Sequence, residues 1–144
     1  MNELTLEAKR ENLDSVLDFV HQALDESQCS PKSLMQLDLA VEELFVNIAQ
    51  YAYYPKTGAV TILAEFYAES SEITVTLIDK GIPYNPLSKK DPDMTLAVKE
   101  RPIGGLGIYM AKNIMDRLSY EYKDGQNILR ISKKVKTDAV QAYS

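Results

Sequence analysis

Leu37–Tyr53, LDLAVEELFVNIAQYAY, is the stretch on which the reading of this chain turns. Leu34, Leu37, Val41, Leu44 and Ile48 recur at steps of three and four, which lines one face of a 3.6-residue period. Ser30 before Pro31 supplies a hydroxyl cap followed by proline at the first helical position. The helix is therefore expected from Pro31 to about Tyr54, with Pro55 as its stop. Between Leu39 and Ala49 the only polar residues are Glu42, Glu43 and Asn47. Glu43 and Asn47 are four apart and so stand one turn above the other. A carboxylate and a carboxamide among apolar neighbours cost free energy unless something is bound there. Taken alone, the helix is equally well explained by a solvated polar stripe.

The chain around that helix has ordinary globular composition. It has 144 residues, 45% hydrophobic and 26% charged, with a formal net charge of -5. One domain over residues 1–135 with a loose tail at 136–144 is the expected organisation. The acidic balance argues against a nucleic-acid backbone as partner, since such sites need clustered Lys and Arg. Cys29 is the single cysteine, which excludes an internal disulfide and a thiolate metal site. No apolar run approaches the ~20 residues of a membrane span, and no signal-peptide core opens the chain. A cytoplasmic, membrane-free protein is expected.

Before the long helix, Leu4, Leu6 and Ala8 alternate as a first strand over residues 3 to 9. Leu13, Val16, Leu17, Val20 and Leu24 then predict an amphipathic helix to about Ser27, with His21 beside its stripe as a structural or solvated residue. After it, Val60–Phe66 and Ile73–Leu77 alternate around Glu69–Ser71, which predicts an antiparallel hairpin. Asp79 shares the parity of Ile73, Val75 and Leu77, so an acid falls on the covered face. Gly81 and Pro83 turn the chain directly after it.

Residues 84–103 carry little periodicity and hold three prolines and several basic residues, the composition of a lid or of a surface insertion. Met94, Leu96, Ala97 and Val98 suggest a short helical turn within them. Gly104, Gly105 and Gly107 then open a helix expected from Ile103 to Leu118. Glycine is a poor helix former. Its use here points either to backbone N–H groups offered to an anion or to close helix packing. The chain closes on a hairpin over Tyr120–Lys134, turned by Asp124–Gly125.

In order, the chain shows Glu43-x3-Asn47 on a helix, Asp79-x-Gly81-x-Pro83 after a strand, a lid, and Gly104-Gly105-x-Gly107. This resembles the nucleotide motifs of the GHKL (Bergerat-fold) ATPase superfamily. In size and pattern, over about residues 3 to 134, it is similar to the anti-sigma-factor serine/threonine kinases of the RsbW and SpoIIAB type. The resemblance implies a two-layer α/β sandwich, with a mixed, mainly antiparallel sheet covered on one face by three helices. It implies ATP (or ADP) and Mg²⁺ as cofactors.

It also implies roles. Glu43 would be the general base, Asn47 the Mg²⁺ ligand, and Asp79 the acceptor for the adenine 6-amino group. Gly81 and Pro83 would shape the turn beneath the base. Gly104, Gly105, Leu106 and Gly107 would face the phosphates, with Arg101 or a lid lysine paired to them. Asn127 stands near a position where relatives support the aspartate with threonine, and Tyr51 where many have histidine. The implied function is phosphorylation of a STAS-type anti-anti-sigma protein, with capture of a sigma factor or similar client and a possible homodimer through the first strand. The alternative is a nucleotide-dependent protein-binding module with little or no transfer.

Overall fold

The computed structural model describes residues 2–88 and 105–135. Arg101, Gly104, the helical turn expected around Met94–Val98 and the tail at 136–144 lie outside the described residues. So do the side chains of Glu26 and Leu106.

The elements run β1 (Asn2–Glu7), α1 (Leu13–Ala23), α2 (Pro31–Tyr51), β2 (Ala59–Tyr67), β3 (Glu72–Asp79), α3 (Gly105–Ile114), β4 (Arg117–Lys123) and β5 (Gln126–Lys134). The strands form one sheet in the order β1-β2-β3-β5-β4. All four pairings are antiparallel. The expected two-layer sandwich with three helices is the observed fold, and the sheet, expected as mixed and mainly antiparallel, is antiparallel throughout the described residues.

Strand alternation decides which face is covered. Ile62, Leu77 and Leu129 stand in one cross-strand row, Ala64, Val75 and Ile131 in the next. All six are buried, in a core shared with Val16 and Val20 of α1, Leu37, Val41, Leu44, Phe45 and Ile48 of α2, and Ile108 and Ala111 of α3. The alternate residues, such as Thr61, Leu63, Ile78 and Ile128, face away from the helices. α2 is the inner helix, and its apolar stripe is the one its spacing predicts. Its cap is also as expected: the Ser30 hydroxyl accepts the Ser33 N–H at 3.0 Å, with Pro31 in the first turn. The last hairpin turn is as expected as well. Asp124 and Gly125 both have positive φ, 53° and 76°, which is the type I′ geometry that suits a two-residue hairpin loop.

Three helix ends differ from expectation, each for a local reason. α1 stops at Ala23 rather than Ser27, because Leu24 is extended and its N–H turns back to the His21 carbonyl at 3.1 Å. The Asp25 carboxylate then accepts from both the backbone N–H and the hydroxyl of Ser27, a side-chain turn that competes with helix. α2 ends at Tyr51, three residues early, and the Ala52 carbonyl accepts the N–H of Ile82 instead of extending the helix. α3 ends at Ile114, and Leu118 belongs to β4. The Lys133 ammonium donates to the Ile114 carbonyl at 2.9 Å, and the Asp116 N–H is taken by the Ser132 carbonyl of β5. A cation on the last carbonyls is the favourable end for the helix dipole. Among the described residues no helix is long and apolar enough to cross a membrane.

Candidate functional site

One face of α2, the end of β3 and the start of β5 converge on a single cavity. It is lined by Leu44, Asn47, Ile48, Tyr51 and Ala52 of α2 and its C-terminus, by Asp79, and by Ile82, Tyr84 and Pro86 of the following loop. Tyr120, Asn127 and Leu129 of the last hairpin close it. The empty space is about 420 Å³ including its open mouth. The α2 contributors fall at steps of three and four, so they share one helix face. Asn47 is half-buried on that face.

Asp79 is 5% exposed at the end of β3. Its Oδ1 accepts the Gly81 N–H at 2.9 Å and the Asn127 amide N–H at 2.9 Å. The pairing of β3 with β5 explains the second contact, because Asp79 and Asn127 are direct cross-strand partners. Among the described residues no donor reaches Oδ2. The turn that follows is clamped by the C-terminus of α2. Ile82 N–H donates to Ala52 O at 2.9 Å, and the Tyr53 hydroxyl accepts Lys80 N–H at 2.7 Å while donating to Ala59 O at 2.6 Å. A Cβ on Gly81 would stand 2.2 Å from Ala52 O, so this position admits only glycine without backbone movement. The helix end by itself requires glycine here, beside the close approach to a base that the resemblance implies. Pro83 lies exposed in the same turn.

At the other end of the site, Glu43 stands one turn before Asn47 on α2 and is half-buried. Burial pushes its pKa above the ordinary carboxylate range, and Glu42 adds to the rise; Arg10 opposes both. Its carboxylate is pressed against α3, where a Cβ on Gly107 would lie 1.9 Å from Oε2. Gly107 therefore makes room for this acid. Gly105 begins α3, and Leu106 follows it.

The sequence-predicted residues Asn47, Asp79 and Asn127 are brought together on one cavity; Gly81 and Pro83 lie in the turn after Asp79 without lining it, and Glu43 and Gly107 lie against each other outside its lining. Sequence reasoning missed the aromatic and apolar walls. Tyr120 has the buried-face parity of Leu129, its strand partner, which was a usable signal. Tyr84 and Pro86 sit in a stretch without periodicity and gave none.

Residues 6–133 match the family of histidine kinase-like ATPase domains. The chain belongs to that family. Among curated relatives, it is 30% identical over 109 residues to the serine-protein kinase RsbW of Bacillus mycoides (strain KBAB4), covering 73% of this chain. It is 28% identical over 107 residues to the RsbW of Bacillus cereus (strain ATCC 10987 / NRS 248). The chain spans 66% of the length of these relatives. The solved structure of the Acinetobacter baumannii histidine kinase AdeS aligns with a TM-score of 0.48 and 16% identity, over 94% of this chain and 68% of that one. For a histidine kinase-like ATPase domain, a nucleotide is the expected class of ligand.

The residues also fit a hard divalent cation in one specific way. Among the described residues there is no cluster of three His, Cys, Asp or Glu able to hold a metal alone. A single carboxamide oxygen from Asn47 suits an ion that keeps water and phosphate oxygens as its other ligands, which is the habit of Mg²⁺.

Proposed function

We propose that this protein binds ATP with Mg²⁺ in the α2–β3–β5 cavity and transfers the terminal phosphoryl group to a serine or threonine of a STAS-type partner. In this reading it is an anti-sigma-type kinase that also holds a sigma factor or similar client, so that the partner's phosphorylation state decides which is bound. Pairing of two copies through β1 and a cytoplasmic setting belong to the same reading. The observation that carries it is the convergence of Asn47 and Asp79, from distant parts of the chain, on one cavity.

The site residues divide the work. Asp79 accepts the 6-amino group of adenine through Oδ2. Tyr84, Tyr120, Ile48 and Ile82 supply apolar contact to the base. Asn47 would hold Mg²⁺ through its amide oxygen, and the ion would supply charge neutralisation for the phosphates. As the resemblance implies, Gly104, Gly105, Leu106 and Gly107 would offer backbone N–H groups to the phosphates, with Arg101 or a lid lysine as cation. Glu43 takes the proton from the attacking hydroxyl. Its raised pKa brings its basicity closer to neutrality, where such transfer works best. Phosphoryl transfer asks for little beyond such positioning and charge neutralisation.

The test is incubation with labelled ATP, Mg²⁺ and a STAS partner, beside the Glu43→Ala variant. Transfer by the wild type that falls steeply in the variant is the expected result. Nucleotide binding without transfer to any partner would replace the kinase by a nucleotide-dependent binding module.

A further inference from the structure

The helical layer carries a second concavity, on the side of α2 opposite its core stripe. α1 and α3 each pack against α2 and leave a groove between them. Met35 and Leu39 of α2, Leu17 of α1, and Met110 and Ile114 of α3 give it an apolar lining. Its empty space is about 950 Å³ including the open mouth. Met35 is 66% exposed and Met110 38%. None of these five residues lines the cavity that holds Asn47 and Asp79.

The spacing decides what shape fits. Met35, Leu39 and Glu42 stand at i, i+4 and i+7 on α2, and Met110 and Ile114 at i and i+4 on α3. Such rows are ridges between which another helix seats its own side chains. An extended segment would find no open strand edge here, and its backbone N–H and C=O groups would lie unpaired against apolar side chains. A helix satisfies those groups internally and offers only its apolar face. Unbranched, polarizable methionine side chains suit a surface that must adapt to a partner.

Charge decides what the other face of that helix carries. The polar lining is Gln36, Asp38 and Glu42, two carboxylates and no cation. Asp14 and Asp18 stand exposed on α1 on either side of Leu17 and extend the acidic rim. His21 meets Asp38 across the α1–α2 seam, Nε2 to Oδ1 at 2.6 Å. Glu42 has no hydrogen bond or ion pair with another described residue.

We propose that this groove seats one basic amphipathic helix of a partner protein, its apolar side chains against Met35, Leu39 and Met110 and its Lys or Arg residues toward Glu42 and the Asp14–Asp18 rim. The inference goes beyond the phosphoryl-transfer reading and requires no nucleotide. Glu42 directly precedes Glu43, so a partner held here lies beside the carboxylate to which that reading gives the proton.

The test uses the full chain without nucleotide. The probe is a fluorescently labelled helical peptide of leucine and lysine, LKKLLKLLKKLLKL, with a counterpart in which every lysine is glutamate. Anisotropy titration should show saturable binding of the lysine peptide and binding of the glutamate peptide weaker by about tenfold or more, since like charges then meet. Met35→Lys and Met110→Lys change exposed positions that the fold tolerates. Each should weaken the lysine peptide by about tenfold, and Glu42→Gln by about threefold with a shallower salt dependence. Tyr67→Lys, the same charge added on the far face of the sheet, should leave the affinity unchanged. Backbone amide shifts on titration should cluster on α1, α2 and α3 around Leu17, Leu39 and Ile114. Equal binding of both peptides, no binding, or affinity indifferent to Met35→Lys and Met110→Lys would overturn the inference. So would self-association of the wild type that Met35→Lys abolishes, which would make a second copy of this chain the occupant. Because ATP is absent, failure of phosphoryl transfer leaves this result standing, and failure here leaves the nucleotide site standing.

Discussion

The Asp79 side of the cavity and the Glu43–Gly107 contact one turn back along α2 are built on different principles. At the Asp79 end, polar groups hold one another: Gly81, Asn127, Tyr84, Tyr120, Tyr53 and Ala52 form a closed set of hydrogen bonds around the turn. At the Glu43 end, neither Glu43 nor Asn47 makes a side-chain hydrogen bond to another described residue. There the geometry is set by contact, with the Glu43 carboxylate wedged where only a glycine at position 107 leaves room. On the proposed function, the difference should separate affinity from turnover. A hydrogen-bonded frame should govern which ligand is held, and a sterically placed, desolvated carboxylate should govern what happens to it.

Substitutions at the Glu43 end should produce the largest effects, on the chemical step. Glu43→Gln should lower phosphoryl transfer by about 10²- to 10⁴-fold, the usual contribution of a general base, with ADP affinity little changed. Single-turnover assays beside calorimetry separate the two; a parallel loss of affinity would blur the division. Gly107→Ala should lower transfer by about 10²-fold, because its Cβ displaces the carboxylate from its place against α3. A Gly107→Ala protein with wild-type turnover would show that the wedge is not what positions Glu43.

At the Asp79 end the expected effects are smaller and fall on affinity. Asp79→Asn should weaken adenine nucleotide binding by about 1–3 kcal/mol, the loss of a charged hydrogen bond. Gly81→Ala should destabilise the fold by about 1–3 kcal/mol in chemical denaturation, since the methyl group meets the Ala52 carbonyl.

The smallest effect is one of stability against pH. Burial holds the folded-state pKa of Glu43 above its ordinary value. The stability linked to this group is therefore complete below the ordinary carboxylate range and is lost as pH rises through the raised value. Glu43→Gln removes that loss. The variant should melt slightly above the wild type at neutral pH, and the gap should close near pH 3. A variant less stable at neutral pH would mean that the carboxylate is held by favourable partners.

Much of this was legible in the sequence because it depends on spacing. The stripe of α2, the parity of Asp79 with Ile73, Val75 and Leu77, and the Asp124–Gly125 turn each follow from a helical or strand period or from a required φ. Glu43 and Asn47 stood out because they were polar residues among apolar ones. What sequence could not supply was pairing across the sheet. The Asn127–Asp79 contact needs the β3–β5 register, so the family resemblance suggested it where spacing alone did not, and Tyr84 is recruited by a loop without periodicity. Helix ends were overrun for a related reason. Ala23, Tyr51 and Ile114 are followed by residues compatible with helix, and tertiary partners, Ile82 N–H on Ala52 and Lys133 on Ile114, decide the stop. The steric demands at Gly81 and Gly107 likewise come from neighbours distant in sequence.

The central claim is that an adenine nucleotide spans these two ends. The most direct measurement is a crystal structure of the protein with Mg²⁺ and a non-hydrolysable ATP analogue. The account predicts the base amino group on Asp79, the metal on the Asn47 amide oxygen and the γ-phosphate toward Glu43. A nucleotide bound elsewhere, or an Asn47 amide turned away from the metal, would contradict it.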